Sequence, residues 1–176
     1  MEEQLKKIIG LNGWYLDIHS VKDGFRDVCL VGLIGEDSGR QLEFNLRGVS
    51  SLPSMMEQAV FVGEYVERNM PQHKIIPAWA HLFFIADDSK VDDVEHLLSD
   101  YSRPVRFKNG ERKLGLLLGY SECCVKAHLE DRLPYRDYST YPIPFSPCST
   151  ECEKPWMNEY LRLARKYGVN ISREFV

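Results

Sequence analysis

Four of the five cysteines lie between residues 123 and 152: Cys123 and Cys124 in Gly-Tyr-Ser-Glu-Cys-Cys-Val, and Cys148 and Cys152 in Pro-Cys-Ser-Thr-Glu-Cys. Thiolate sulfur ligates soft metals and attacks electrophiles, and paired thiols form disulfides, so this spacing admits several chemistries. With Ser121 as the N-cap of a helix running to about Arg132, Cys123 and Cys124 fall in the first helical turn. There the unpaired backbone N–H groups and the positive end of the helix dipole favour thiolate over thiol. Adjacent helical residues point about 100° apart, so the two cysteines play unequal roles. His128 follows Cys124 by one turn, on the same helix face. Cys148 and Cys152 repeat that spacing. The expected ligand set is therefore Cys124, His128, Cys148 and Cys152, three thiolates and an imidazole that match a closed, structural zinc site. Cys123 is then a substitute ligand or a thiol just outside the ligand set. With Cys123 included, the four cysteines also suit an iron–sulfur cluster.

Three other readings of the same residues stay open. A disulfide can join the helix start to the 148–152 loop, as in the proteins of hyperthermophiles, and the sparse Asn and Gln of this chain lean that way. Cys123 or Cys124 can serve as the attacking thiolate of a redox or nucleophilic enzyme, activated by the helix N-terminus. Cysteines can also be small, unlinked core residues, and Cys29, inside an apolar strand, is read that way.

The stretch Leu118-Gly119-Tyr120-x-x-Cys123-Cys124-Val125, followed by Pro147-Cys148-x3-Cys152, resembles an archaeal family of small proteins of unknown function. That family's motif reads Gly-Tyr-Pro-x-Cys-Cys-Val, with a proline–cysteine pair downstream. Ser121 stands where the proline would be, and the resemblance covers residues 114–156. It implies an archaeal, intracellular protein whose four cysteines act as a unit, and it carries no activity.

The elements that must position these residues read as an α+β fold. An N-terminal antiparallel β-meander is expected over residues 14–47, from Trp14–Val21 and Phe25–Ile34 flanking a Lys22-Asp23-Gly24 hairpin turn, then Gln41–Leu46. Ser54 and Glu57 form a capping-box pattern for a central helix that ends before Pro71. Trp79–Ala86 reads as a strand buried on both faces. Ser89 then caps a helix with Val91, Val94, Leu97 and Leu98 inward, and Arg103–Lys108 reads as an edge strand closed by Asn109-Gly110. The last helix is expected from Pro155, with Trp156, Tyr160, Leu163 and Tyr167 on one stripe and a stop at Gly168. The aromatic, proline-rich loop 135–145 would cover the cysteines. The 176 residues suit a single domain in which 114–168 form a helical, cysteine-rich module.

Composition narrows the function classes. Hydrophobic residues make up 44% and charged residues 27%, ordinary for a globular protein. The longest apolar runs, such as Val28–Gly35, are far shorter than the roughly 20 residues of a spanning helix. No apolar leader opens the sequence, so a cytoplasmic protein without a membrane partner is expected. Arg103, Arg106, Lys108, Arg112 and Lys113 surround Phe107, and Arg162, Arg165 and Lys166 add charge, so an RNA-associated module built on a basic hairpin over 103–113 is one reading. A pI of 5.8 and the acidic 87–100 segment favour solvated faces instead. Asp87 and Asp88 read as helix caps, and His81 as a core histidine. Phosphate-binding loops, nucleophile elbows and metalloprotease motifs are absent from the sequence.

Overall fold

The structure, a computed structural model, describes residues 12–32, 52–78, 81–101, 107–132 and 147–169. The element order is α1 (Asn12–Lys22), β1 (Val28–Gly32), α2 (Leu52–Asn69), β2 (Lys74–Ala78), β3 (His81–Ile85), α3 (Val91–Tyr101), α4 (Phe107–Leu117), α5 (Glu122–Leu129) and α6 (Thr150–Tyr167). A short 3-10 turn, Asp88–Lys90, leads into α3, and Asp87 Oδ1 caps it by accepting from the Ser89 backbone N–H at 2.8 Å. The fold class is α+β, as expected.

The sheet is antiparallel in the order β1-β3-β2, with Val28 opposite Ile85, Gly32 opposite His81, and Lys74 opposite Ile85. Side chains alternate across it. Cys29, Val31, Leu82 and Phe84 face a core built with α1, α2 and α6. Val28, Phe83 and Ile85 face the opposite side, where Val94 and Leu97 of α3 and Leu118 pack. Both faces are therefore covered, which is why β3 reads as a continuous apolar run.

The expected meander over 14–47 is corrected at its first strand. Trp14–Val21 lies in α1, not in a strand. Tyr15, Leu16, Asp17, Ile18, His19, Ser20 and Val21 are all buried, so the helix has no solvated stripe to reveal its period. Lys22-Asp23-Gly24 is the C-terminal cap of α1 and not a hairpin. Gly24 takes φ 76°, its N–H reaches Val21 O, and Phe25 N–H reaches back to Ser20 O at 2.9 Å. Strand β2 went unread, and its Pro77 suits the edge position that it occupies. The strand expected over 103–108 is corrected as well, since Phe107 and Lys108 open α4 and Asn109-Gly110 lies within it. The Gln41–Leu46 strand, Arg103, Arg106 and the aromatic loop 135–145 lie outside the described residues.

The α1 cap is tied to the end of α6. Asp23 accepts from Arg162 Nη2 at 2.9 Å, Lys166 Nζ at 2.7 Å and Tyr167 Oη at 2.8 Å. Partial burial raises the Asp23 pKa, but the hydrogen bonds from Lys166, Tyr167 and Arg162 together outweigh it and hold it at about 2. A carboxylate depressed below its unfolded value stabilises the fold above that value, and the contribution fades as pH falls toward the folded pKa. Asp23→Asn is thus expected to lose about 1 kcal/mol at pH 7, with the gap to wild type closing as pH falls from about 4 toward 2. Urea titrations across that range check it, and a gap that is constant with pH would refute it.

Candidate metal centre

Two helices begin at the same point. Ser121 is the N-cap of α5, which puts Cys123 and Cys124 in its first turn, as the sequence predicts. Ser149 is the N-cap of α6, and its Oγ accepts from the Cys152 backbone N–H at 3.3 Å. The last helix therefore starts at Thr150 and not near Pro155, which sits inside it. The cap at Ser149 determines the start, and Pro155, in the second turn, leaves the helix without one i→i−4 hydrogen bond. Cys152 thereby moves from a loop onto the first turn of a helix, while Cys148 sits just before its N-cap.

The thiol sulfurs of Cys123, Cys124, Cys148 and Cys152 all lie within 4.8 Å of one another. Cys123 Sγ is 3.4 Å from Cys152, Cys124 is 3.5 Å from Cys148, and Cys148 is 3.8 Å from Cys152. Sulfurs bonded at about 2.3 Å to one tetrahedral ion stand about 3.8 Å apart, so these spacings fit a single ion. All five cysteines are free, and the disulfide reading is corrected on that point, because a disulfide needs sulfurs about 2.05 Å apart. Cys29 is 0% exposed in the core, as expected, and burial pushes its thiol pKa far upward.

The group that gathers holds Cys123 where the expected set held His128. His128 is exposed on α5. Its helical angle matches Cys124, but four residues are about 6 Å of rise, and the site lies beyond the N-terminal end of the helix. Cys124, Cys148 and Cys152 come together as the spacing suggests, and the vicinal thiol of Cys123 completes the four.

The surroundings are suited to negative sulfur. The Cys148 N–H donates to Cys124 Sγ at 3.4 Å. Ser121 Oγ makes no capping bond and instead stands 3.2 Å from Cys123 Sγ and 3.7 Å from Cys152 Sγ. The positive ends of α5 and α6 converge on the cluster. Hydrogen bonding from Ser121, then from Cys152 and Cys148, draws the Cys123 thiol down to about 7. Burial, with the neighbouring thiols, pushes Cys148 up to about 12. Sequence reasoning did not find the Ser121 hydroxyl or the Cys148 amide. The clue to the first is a serine N-cap placed two residues before a cysteine.

Exposure is graded. Cys123 is exposed, Cys148 and Cys152 are half-buried, and Cys124 is 4% exposed. Cys124 belongs to the main core, and Cys148 and Cys152 pack against it. The cysteine-rich segment thus shares the core of the sheet. Beneath it, Arg26 is 6% exposed and contacts Asp17, donates to Ser20 Oγ at 2.7 Å and to Tyr160 Oη at 3.1 Å, and lies 5.3 Å from the Trp156 ring centroid. Tyr160 Oη also donates to Asp17. Trp156, one turn after Cys152, packs 5.4 Å from Tyr120, the residue before Ser121. The buried ion pair therefore braces both helix starts.

Helix α4 braces α5 from another side. A Cβ at Gly115 would meet Val125 Cγ2 at 2.7 Å. Val125 is buried and stiff at χ1, so it cannot swing away. Gly115→Ala gains about 1 kcal/mol of helix propensity but incurs roughly 1–3 kcal/mol of overpacking. The expected result is a net loss near 1 kcal/mol, read as a fall in Tm, and a rise in Tm would show that the α4–α5 contact is loose.

Residues 107–113 of the basic segment are helical and do not form a hairpin. Arg112 pairs with Glu122, and Arg162 and Lys166 pair with Asp23. Among the described residues, no helix is long and apolar enough to cross a membrane. Compared with models of protein families, with curated proteins and with solved structures, the chain matches none of them.

Proposed function

We propose that Cys123, Cys124, Cys148 and Cys152 hold one zinc ion and that its role is structural, fixing the start of α5 against the start of α6. The observation that carries this reading is the mutual distance of the four sulfurs, at most 4.8 Å. An iron–sulfur cluster puts several iron and sulfide atoms between its cysteines, whereas sulfurs this close leave room for one ion. An all-thiolate donor set is soft and suits zinc, while calcium and magnesium take oxygen ligands. Four thiolates around a divalent ion carry two net negative charges, and the two helix N-termini and the Cys148 amide offset them. Free thiols also suit a reducing cytoplasm, in keeping with the archaeal, intracellular setting that the motif resemblance implies.

Native mass spectrometry on protein purified without oxygen or chelator tests the reading. The expected mass exceeds that of the chain by one zinc ion, and cobalt substitution yields thiolate charge-transfer bands. A reduced, metal-free chain that takes up neither zinc nor cobalt would overturn it. A second reading, a thiol-dependent enzyme, is favoured by one observation, the exposed Cys123 with its pKa drawn to about 7. It predicts a metal-free protein in which Cys123 alone alkylates fast below neutral pH, and uniformly slow alkylation excludes it.

A further inference from the structure

Resting on the zinc reading, we infer that the outer edge of the cluster, Cys123 with Cys152, is a modification site at which hydroperoxides close a disulfide and thereby release the ion. The inference starts from the gradient of exposure. Cys123 faces solvent, Cys124 is 4% exposed and Cys29 is 0% exposed. An oxidant arriving from solvent meets Cys123 before any other described sulfur. The Cys152 sulfur lies 3.4 Å away and is itself half-buried. The other close pair, Cys124 with Cys148 at 3.5 Å, contains the buried Cys124 and no exposed sulfur. The gradient runs from the exposed Cys123 through the half-buried Cys152 and Cys148 to the buried Cys124, and Cys152 is the half-buried sulfur in contact with Cys123, where a disulfide would need the two at about 2.05 Å.

The chemistry balances with hydrogen peroxide as the oxidant. The Cys123 thiolate attacks one peroxide oxygen, the O–O bond breaks, and the departing hydroxide takes a proton from solvent to become water. The sulfenic acid left on Cys123 is attacked by the Cys152 thiolate. The S–S bond forms, the S–O bond breaks, and a second hydroxide leaves and is protonated. Two thiolates have lost two electrons, and one peroxide with two protons has become two waters. Cys124 and Cys148 remain, and two thiolates are too few to keep a structural zinc site closed. Oxidation at the surface is thereby converted into loss of the ion that joins α5 to α6.

The test uses the full chain loaded with zinc. Hydrogen peroxide is added, zinc is followed with a chromophoric chelator, and the product is analysed by tandem mass spectrometry of its peptides. The expected result is one zinc released per chain, a mass loss of about two daltons, a Cys123–Cys152 cross-link, and renewed zinc uptake after reduction by a dithiol. Cys123→Ser is expected to slow peroxide-driven release at least about tenfold, and Cys29→Ser to leave it unchanged. Should Cys123→Ser fail to hold zinc, the wild-type cross-link map decides alone. Zinc retained under peroxide, a Cys124–Cys148 cross-link, or Cys123 oxidised onward without a partner would each overturn the proposal. A chain that never takes up zinc refutes the metal reading separately. Peroxide treatment of that metal-free chain then still shows whether Cys123 and Cys152 pair, and failure to pair removes the modification site.

Discussion

Replacing Cys148 with serine is expected to abolish zinc binding and to lower the Tm by about 8–16 °C. The argument runs from mass action. An ion that binds only the folded chain stabilises it by roughly 4 kcal/mol when its free concentration is 1,000 times its dissociation constant. For a chain of this length each kcal/mol is worth about 2–4 °C. Cys148 is the informative position because it touches two of the other three sulfurs, Cys124 at 3.5 Å and Cys152 at 3.8 Å. Its own amide also donates to Cys124. Serine keeps the backbone and that amide but replaces a soft sulfur with a hard, poorly ionising hydroxyl. Steric disturbance is therefore small, and the loss reports on ligation. The check is differential scanning calorimetry of wild type and variant, each with and without a zinc chelator. The chelator is expected to lower the wild-type Tm to near that of the variant and to leave the variant unmoved. A variant that binds zinc as wild type does would remove Cys148 from the ligand set. A wild type indifferent to chelator at the concentrations that strip zinc would show that the ion does not hold the fold.

How much of this arrangement could be read from the sequence depends on how local each signal is. The cysteine cluster was legible because the helix start at Ser121 and the i,i+4 spacing of Cys148 and Cys152 are local patterns. The buried face of α6 was legible for the same reason, since Trp156, Tyr160 and Leu163 repeat at the helical period and Gly168 supplies the left-handed cap at φ 65°. The core strand β3 was legible because both its faces are covered. Other elements hid behind tertiary context. Helix α1 is buried from Tyr15 to Val21 and carries Leu16 and Ile18 in an alternation that imitates a strand, while Asp17 and Ser20 are polar yet find partners inside the protein. The glycine after it serves a helix cap, and the same dipeptide chemistry serves hairpins. Asn109-Gly110 is a turn signal that the packing of α4 overrides. His128 stands outside the sulfur cluster for a geometric reason. A helical wheel records angle and omits rise, and the site lies off the end of the helix, where only first-turn side chains reach. The long-range pairing of residues 26 and 160 beneath the site leaves no local trace at all.

That pairing yields the second large effect. Arg26→Met is expected to destabilise the protein by on the order of 3–5 kcal/mol at pH 8 and by clearly less at pH 5. Methionine fills much of the volume of the arginine stem, so the variant tests charge more than packing. In the wild type, burial pushes the Asp17 carboxyl up to about 7, and the Arg26 guanidinium pulls against that rise. Removing the guanidinium takes away the charge that opposes burial and leaves the Tyr160 hydroxyl donating to Asp17. An acid whose folded pKa lies above its unfolded value near 3.9 binds its proton more tightly in the folded state. Its stabilising contribution is then complete below about pH 4 and is lost as pH rises through the folded pKa. The loss begins in both proteins but goes further in the variant, where an ionised Asp17 has no cation beside it. The gap between the two therefore widens from pH 5 to pH 8. Urea titrations at both values measure it, and a gap independent of pH would mean that Asp17 is not the group left stranded. Asp17→Asn in the same background is expected to restore most of the loss at pH 8, because a buried neutral pair replaces an unpaired charge. The position of this ion pair ties it to the metal centre. The Arg26 guanidinium lies over the Trp156 ring, which packs at a tilt against Tyr120, so the helix starts that carry Cys123, Cys124 and Cys152 rest on it. Arg26→Met is accordingly expected to weaken zinc affinity as well, more at pH 8 than at pH 5 once the affinity of the wild type at each pH is divided out.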